Sequence, residues 1–147
     1  MIVVERDIVL PVTVDEAVSY LEDFRHAERW DPGTVRCVRV GEGPVRPGAE
    51  WRNTSRFNGR TTELLYRLDV REPARLVFVG TNTSVTATDD MRFEARGDGT
   101  VLLRYRASLR FKGLAKLATP FLRAEFEKLA DRVARRLPAA VTEERNR

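Results

Sequence analysis

The order of apolar patterns along this chain constrains its fold more than any single motif. One strand-like segment (2–10) precedes a capped helix. Six further strand-like segments with short turns follow, and then an apolar-striped helix from about Gly113 to Leu137. A sheet built from alternating segments must bury one face, and the last helix is the only long apolar surface able to cover it. One helix cannot fill the curve of so broad a twisted sheet. The expected architecture is therefore α+β: a curved seven-stranded antiparallel sheet wrapped around a long C-terminal helix, with two short helices after the first strand and an internal pocket in the space left over.

Local chemistry supports each boundary. Pro11 ends the first segment, and Thr13 with Glu16 three residues later forms a capping-box signature that starts a helix at Val14. A second helical turn is expected from His26 to Trp30, stopped by Asp31-Pro32-Gly33. Strands are expected over 34–40, 48–57, 60–71, 75–80, 85–95 and 100–111, and the Asn58-Gly59 pair between two of them signals a type I′ hairpin. Leu64, Tyr66, Leu68 and Val70 oppose Glu63, Arg67, Asp69 and Arg71, so one face is dry and the other wet.

Turn lengths then predict registers. The Asn58-Gly59 turn pairs Phe57 with Arg60, Ser55 with Thr62 and Trp51 with Tyr66. A loop at 72–74 pairs Val70 with Leu76, Leu68 with Phe78 and Tyr66 with Gly80. A loop at 81–84 sets Gly80 opposite Val85 and Leu76 opposite Asp89, and a loop at 97–99 sets Asp89 opposite Ala107 and Met91 opposite Tyr105. Every hairpin keeps the apolar residues on one face, and that agreement across turns favours the meander. The closing helix carries Leu114, Leu117, Ala118, Phe121, Leu122, Phe126, Leu129, Val133 and Leu137, with Pro120 expected to bend it. A single domain over 1–138 and a frayed tail over 139–147 are expected.

Composition excludes several function classes. The 26 Lys and Arg are offset by 22 Asp and Glu, interleaved on the last helix as a solvated face, and no base-stacking motif accompanies them. No nucleic-acid partner is expected. The opening MIVVERDIVL carries Glu5, Arg6 and Asp7, unlike a signal peptide or membrane span. A cytoplasmic protein without integral membrane association is expected, and the sequence leaves oligomeric state open. Cys37 is the only cysteine and His26 the only histidine, which argues against a disulfide, a thiolate zinc cluster and two-histidine metal motifs. Cys37 reads as an inert thiol. No G-x-S-x-G elbow is present, and the Gly41-Glu42-Gly43 and Gly97-Asp98-Gly99 runs are turns. No cofactor or metal is expected.

The order of strand, helix pair, meander and long final helix resembles the START-like (helix-grip) superfamily, specifically its bacterial polyketide cyclase/dehydrase and lipid-transport group. The likeness spans 2–137 and is carried locally by Trp30-Asp31-Pro32-Gly33, Pro47-Gly48-Ala49, Arg56-Phe57-Asn58-Gly59 and Phe111-Lys112-Gly113-Leu114. The resemblance implies an apolar cavity for lipids, hormones or polyketides between sheet and helix, in a fold that serves binders, carriers and some enzymes. It also implies that the segment holding His26 and Trp30 lies near the cavity mouth.

Candidate site residues follow from the dry face. Asn53, Ser55, Thr62, Tyr66, Asp89 and Tyr105 point inward, where an unpaired polar group costs roughly 1–3 kcal/mol. Each therefore needs a partner, a water or a ligand. Asp89, Tyr66 and Tyr105 are the candidates for moving protons. Asp89 reads either as an acid/base or acceptor of raised pKa, or as a carboxylate paired with an arginine or placed at an exposed sheet end. Trp51, Leu64, Phe78, Met91 and Leu103 from the sheet and Leu117 and Phe121 from the helix are candidate cavity walls, though plain core would look the same. His26 reads either as a base at the mouth or as a surface residue. The predicted registers place Asn53, Ser55 and Thr62 near the 58–59 turn and Asp89 with Tyr105 towards the other end. Three functions fit this pattern: a binder of a hydrophobic lipid- or polyketide-like molecule, a cofactor-free cyclase/dehydrase-type enzyme, or an interaction module using the outer arginines.

Overall fold

In the computed structural model, which describes residues 1–145, β1 (Ile2–Leu10) leads into α1 (Val14–Leu21), a 3-10 turn (Phe24–His26) and α2 (Ala27–Trp30). Strands β2 (Thr34–Val40), β3 (Glu50–Phe57), β4 (Arg60–Glu72), β5 (Arg75–Thr81), β6 (Val85–Ala95) and β7 (Val101–Phe111) follow. A second 3-10 turn (Gly113–Ala118) then enters α3 (Thr119–Arg145). The seven strands form one antiparallel sheet in the order β1-β7-β6-β5-β4-β3-β2. This is the helix-grip arrangement expected from the sequence.

The turn chemistry behaves as the sequence implies. Thr13 and Glu16 form the reciprocal capping box at α1. Asn58 and Gly59 both take positive φ, at 53° and 77°, as a type I′ turn requires, and Phe57 pairs with Arg60. Two registers differ from expectation. β4 and β5 meet through a tighter turn that pairs Glu72 with Arg75, so Val70 faces Val77 and not Leu76. A bulge between Leu68 and Val70 absorbs the offset, which restores Leu68 opposite Phe78 and Tyr66 opposite Gly80. At the β5–β6 turn the Asn82 side chain accepts from the Ser84 and Val85 amides at 2.8 and 2.9 Å, and the ladder continues to Thr81–Thr86. Gly80 therefore pairs with Ala87, and Leu76 with Met91. A shift of two residues leaves every side chain on its face but moves Asp89 opposite Phe78, one step nearer Tyr66.

Two structures share the dry face. At the end of the sheet holding Trp51, Leu76, Met91 and Leu103, the helix pair inserts an aromatic plug. Phe24 lies 4.4 Å from the Tyr66 ring centroid and 4.6 Å from Phe78, with Trp30 and Trp51 at its flanks. Trp51 is pinned there because its Nε1 donates to Asp23 at 3.1 Å and the Arg39 guanidinium lies over its ring. The second cover is the C-terminal half of α3, where Val133, Leu137, Ala140 and Val141 are buried. Arg6 of β1 holds this helix from the side through Asp131 and Glu127 at 2.9 and 3.2 Å.

The final helix corrects three expectations. Its first turns, from Gly113 to Ala118, are 3-10 rather than α-helical. Pro120 is the second residue of α3, where no amide hydrogen is needed, so it starts the helix instead of bending it. The residues beyond Pro138 are no frayed tail: the helix runs through that proline to Arg145, and only residues 146–147 of the expected tail lie outside the described residues. An interior proline costs about 3 kcal/mol, and burying Leu137 and Val141 at about 1.5–3 kcal/mol each offsets it. Deleting residues 139–147 should lower stability by roughly 2–4 kcal/mol, which thermal unfolding would read as a drop of roughly 5–15 °C. An unchanged melting temperature would show that these residues add nothing to the fold.

Candidate functional site

Plug and anchored helix leave one part of the dry face uncovered, at the end carrying the Asn58-Gly59 and Asn82–Ser84 turns. A pocket of about 750 Å³ lies there between sheet and α3. The helix contributes Leu122, Phe126 and Leu129, each half-buried, and the sheet contributes Leu64, Val85, Ala87, Ala107 and Leu109. Asp31, Asn53, Ser55, Thr62, Tyr66, Asp89 and Tyr105 also face this space.

The polar groups predicted at opposite ends of the sheet therefore share one pocket. The shifted β5–β6 register is one reason, because it carries Asp89 towards Tyr66. The plug is the other, because it fills the far end and confines the free volume to the near one. Tyr66 is seated by Gly80. A β-carbon at that position would lie 2.6 Å from the Tyr66 ring, so only glycine lets the ring lie flat on β5.

Two hydrogen-bond systems organise the polar floor. In the first, the Asn53 amide donates to the Thr34 hydroxyl at 3.1 Å, and Thr34 donates to Asp31 at 2.9 Å. The other Asp31 oxygen accepts from the Gly33 amide at 2.9 Å. Asn53 is thus committed to holding the turn after α2. In the second system, the Tyr105 hydroxyl donates to one Asp89 oxygen. The remaining Asp89 oxygen and the Tyr66 hydroxyl meet no hydrogen-bonding group among the described residues.

Burial sets the protonation of these groups. Desolvation pushes the Asp89 carboxyl up to about 7, with the Asp31 charge adding to the rise and the Tyr105 hydrogen bond opposing it. Asp31 is also raised by desolvation, against the bonds from Gly33 and Thr34. Tyr66 and Tyr105 are held well above the ordinary phenol value, first by desolvation and then by the Asp89 charge. Near neutral pH the site therefore offers a carboxyl that can accept or donate a proton, beside phenols that stay protonated. The described residues hold no group of three or more His, Cys, Asp and Glu side chains suited to a metal ion.

Several predicted site residues lie elsewhere. Trp51, Phe78, Met91 and Leu103 are fully buried around the plug and do not line the pocket. Trp30, expected at the mouth, is buried with its ring edge-on to Phe24 and Tyr105. His26 is also away from the pocket: its ring stacks on Tyr20 at 4.2 Å and its Nδ1 lies 2.6 Å from the Tyr20 carbonyl oxygen. Leu117 is exposed and does not line the pocket, whereas Phe121 is both exposed and part of the rim. Cys37 is buried and its thiol is pushed up to about 12 by desolvation, which keeps it protonated. Asp31 is a site residue that the sequence pattern does not single out, since Asp-Pro-Gly reads there only as a helix stop. Its Asx-type bond to Gly33 is the local signal that turns the carboxylate inward.

A family model described as polyketide cyclase / dehydrase and lipid transport matches residues 1–141. Solved structures of the same fold include a START superfamily protein from Mycobacterium smegmatis, at 14% identity and TM-score 0.79, covering 96% of this chain and 97% of that one. The Zhui aromatase/cyclase from a Streptomyces species matches at 17% identity and TM-score 0.72, covering 97% and 92%. A protein from Thermus thermophilus matches at 14% identity and TM-score 0.69, covering 94% and 98%. None of the curated proteins matches the chain in sequence. At these identities the structural likeness concerns the fold.

The raised Asp89 pKa has a consequence for stability. A carboxyl that binds its proton more tightly when folded favours the native state at low pH. That advantage is lost as pH rises from the unfolded value near 4 through about 7. Asp89→Asn keeps an acceptor for Tyr105 and cannot ionise. It should raise the melting temperature at pH 8, by up to ~4 kcal/mol of stability, with the gain shrinking towards pH 5. Equal destabilisation at both pH values would contradict the assignment.

Proposed function

We propose that this chain, which belongs to the polyketide cyclase / dehydrase and lipid transport family, binds a hydrophobic small molecule in the pocket between sheet and α3. The observation that carries this reading is the pocket itself. Its volume of about 750 Å³ falls within the range of small-molecule sites, and a few polar groups converge in mostly apolar walls. The free oxygen of Asp89 and the Tyr66 hydroxyl sit on its floor. A hydroxyl, phenol or amine on the ligand would satisfy them, while its apolar body would lie along Leu122, Phe126 and Leu129. One polar end and one long apolar body describe the molecule better than polar groups at both ends, because the site's polar groups converge.

A second reading is catalytic and rests on the Asp89–Tyr105 pair. A carboxyl titrating near neutrality beside a protonated phenol can transfer a proton to or from a bound polyketide, while the pocket walls fix the shape in which it cyclises or loses water. No cofactor is required. The third possibility, a protein-binding outer face, has less support. Of the outer arginines, Arg52, Arg67, Arg104 and Arg106 are paired with Glu63, Asp69, Glu94 and Glu5, and exposed Arg56 lies at the pocket rim, so most of the charge that would draw a protein to the middle of that face is compensated.

Native mass spectrometry of the protein purified from its host should reveal a retained hydrophobic molecule of defined mass. An adduct-free spectrum, together with no uptake of fatty acids or aromatic polyketides, would contradict the binding proposal. With the recovered molecule in hand, Asp89→Asn separates the two readings. Weakened binding of roughly tenfold, as for a lost hydrogen bond to a charged group, fits a binder. Loss of conversion at unchanged affinity fits an enzyme, and unchanged conversion removes Asp89 from any chemical step.

A further inference from the structure

The segment that joins β7 to α3 has its apolar side chains on the outside. Leu114, Leu117 and Phe121 are 87%, 72% and 81% exposed, more than any other large apolar residues described. Their spacing of three and four places them along one stripe, while Ala115, Ala118 and Leu122 alongside them face the pocket. The 3-10 turn that carries Leu114 and Leu117 buries no residue. Phe121 belongs to both surfaces, so the exposed stripe runs directly into the pocket rim.

The surroundings are cationic. From Gly99 to Ala124 the chain contains no Asp or Glu but six Arg and Lys. Arg104 and Arg106 are used by Glu94 and Glu5. Arg110, Lys116 and Arg123 are exposed and take part in no ion pair among the described residues. Arg56 and Arg60 of the neighbouring hairpin line the same rim and are also exposed. Glu63, which lines the same pocket, is paired with Arg52, and Glu125, the next acid along α3, with Lys128. An exposed apolar stripe ringed by free cations, at the opening of an apolar pocket, has the chemistry of an interfacial anchor for anionic lipid.

We propose that the Leu114–Phe121 tip docks on anionic lipid bilayers, with the stripe entering the headgroup–acyl boundary and the cations meeting the lipid charge. In that position the pocket opens against the membrane, and a hydrophobic ligand passes between them without crossing water. The transfer rests on the ligand-binding reading, whereas the docking does not.

The test is co-sedimentation of the full chain with vesicles of phosphatidylcholine alone and with about 30 mol% phosphatidylserine. Wild-type protein should bind the anionic vesicles, release from them at about 0.5 M salt, and bind neutral vesicles weakly. Leu114→Ser with Leu117→Ser, neither of which lines the pocket, should weaken binding by at least about tenfold while circular dichroism and any retained ligand stay unchanged. Lys116→Glu with Arg123→Glu should do the same for anionic vesicles only. Failure of the wild type to bind, or equal binding by the double-Ser variant, overturns the docking. So does concentration-dependent dimerisation that the double-Ser variant abolishes without any vesicle binding, which would make the tip a contact between copies. Vesicle binding by a chain that takes up no ligand would leave the docking intact and overturn the ligand reading.

Discussion

A seven-stranded sheet exposes more dry face than one helix can cover, and the rest of this molecule follows from how that deficit is met. Water cannot be left on dry-face residues such as Leu68, Phe78, Met91 and Leu103 without losing about 25 cal/mol per Å². The chain answers with two covers of different kinds. A short helix pair supplies aromatic side chains, chiefly Phe24 and Trp30, to one end. The last helix is fixed by its C-terminal half, through Leu137, Val141 and the bonds of Arg6 to Asp131 and Glu127. What neither reaches is the pocket.

This division explains why the chemistry sits where it does. Polar residues on the dry face are costly anywhere the covers reach, and the covered end carries Trp51, Leu76 and Met91. The tolerated polar positions Asn53, Ser55, Thr62 and Asp89 line the pocket that the covers leave open, and Tyr66 lies at its border, with Phe24 against its ring. There each can be met by a network partner or by open space. Tyr105 straddles the boundary, packing edge-on to Trp30 and donating to Asp89. Plug and site are thereby in contact, and a change in the position of Trp30 would be felt at the carboxyl.

The fold was almost fully legible in the sequence because its signals are local. Asn58-Gly59 dictates a register by turn geometry alone, and Thr13 with Glu16 dictates a helix start. The site was less legible because its signals are not local. Asn82 tightens a turn through its side chain and moves Asp89 by two residues, which leaves the apolar alternation untouched and so invisible to pattern. Trp51 and Phe78 share a face with Leu64, and only the position of Phe24, set by the path of a different segment, separates core from pocket wall. For the same reason the stripe on the last helix reads as one surface. In the folded chain Leu114 and Leu117 face solvent, Leu122 and Phe126 face the pocket, Val133 is buried and still touches the pocket, and Leu137 is core.

A ligand site at the uncovered end, built around a buried Asp89, requires that carboxyl to titrate near neutrality and to respond to what binds beside it. Carbon-detected NMR of the Asp89 carboxyl, followed through a pH titration with and without the molecule recovered from the protein, reads both properties. A midpoint near 7 in the free protein, displaced by about one pH unit or more when the ligand's polar end reaches the free oxygen, is the predicted result. A midpoint near the ordinary value of about 4 that ignores the ligand would contradict it.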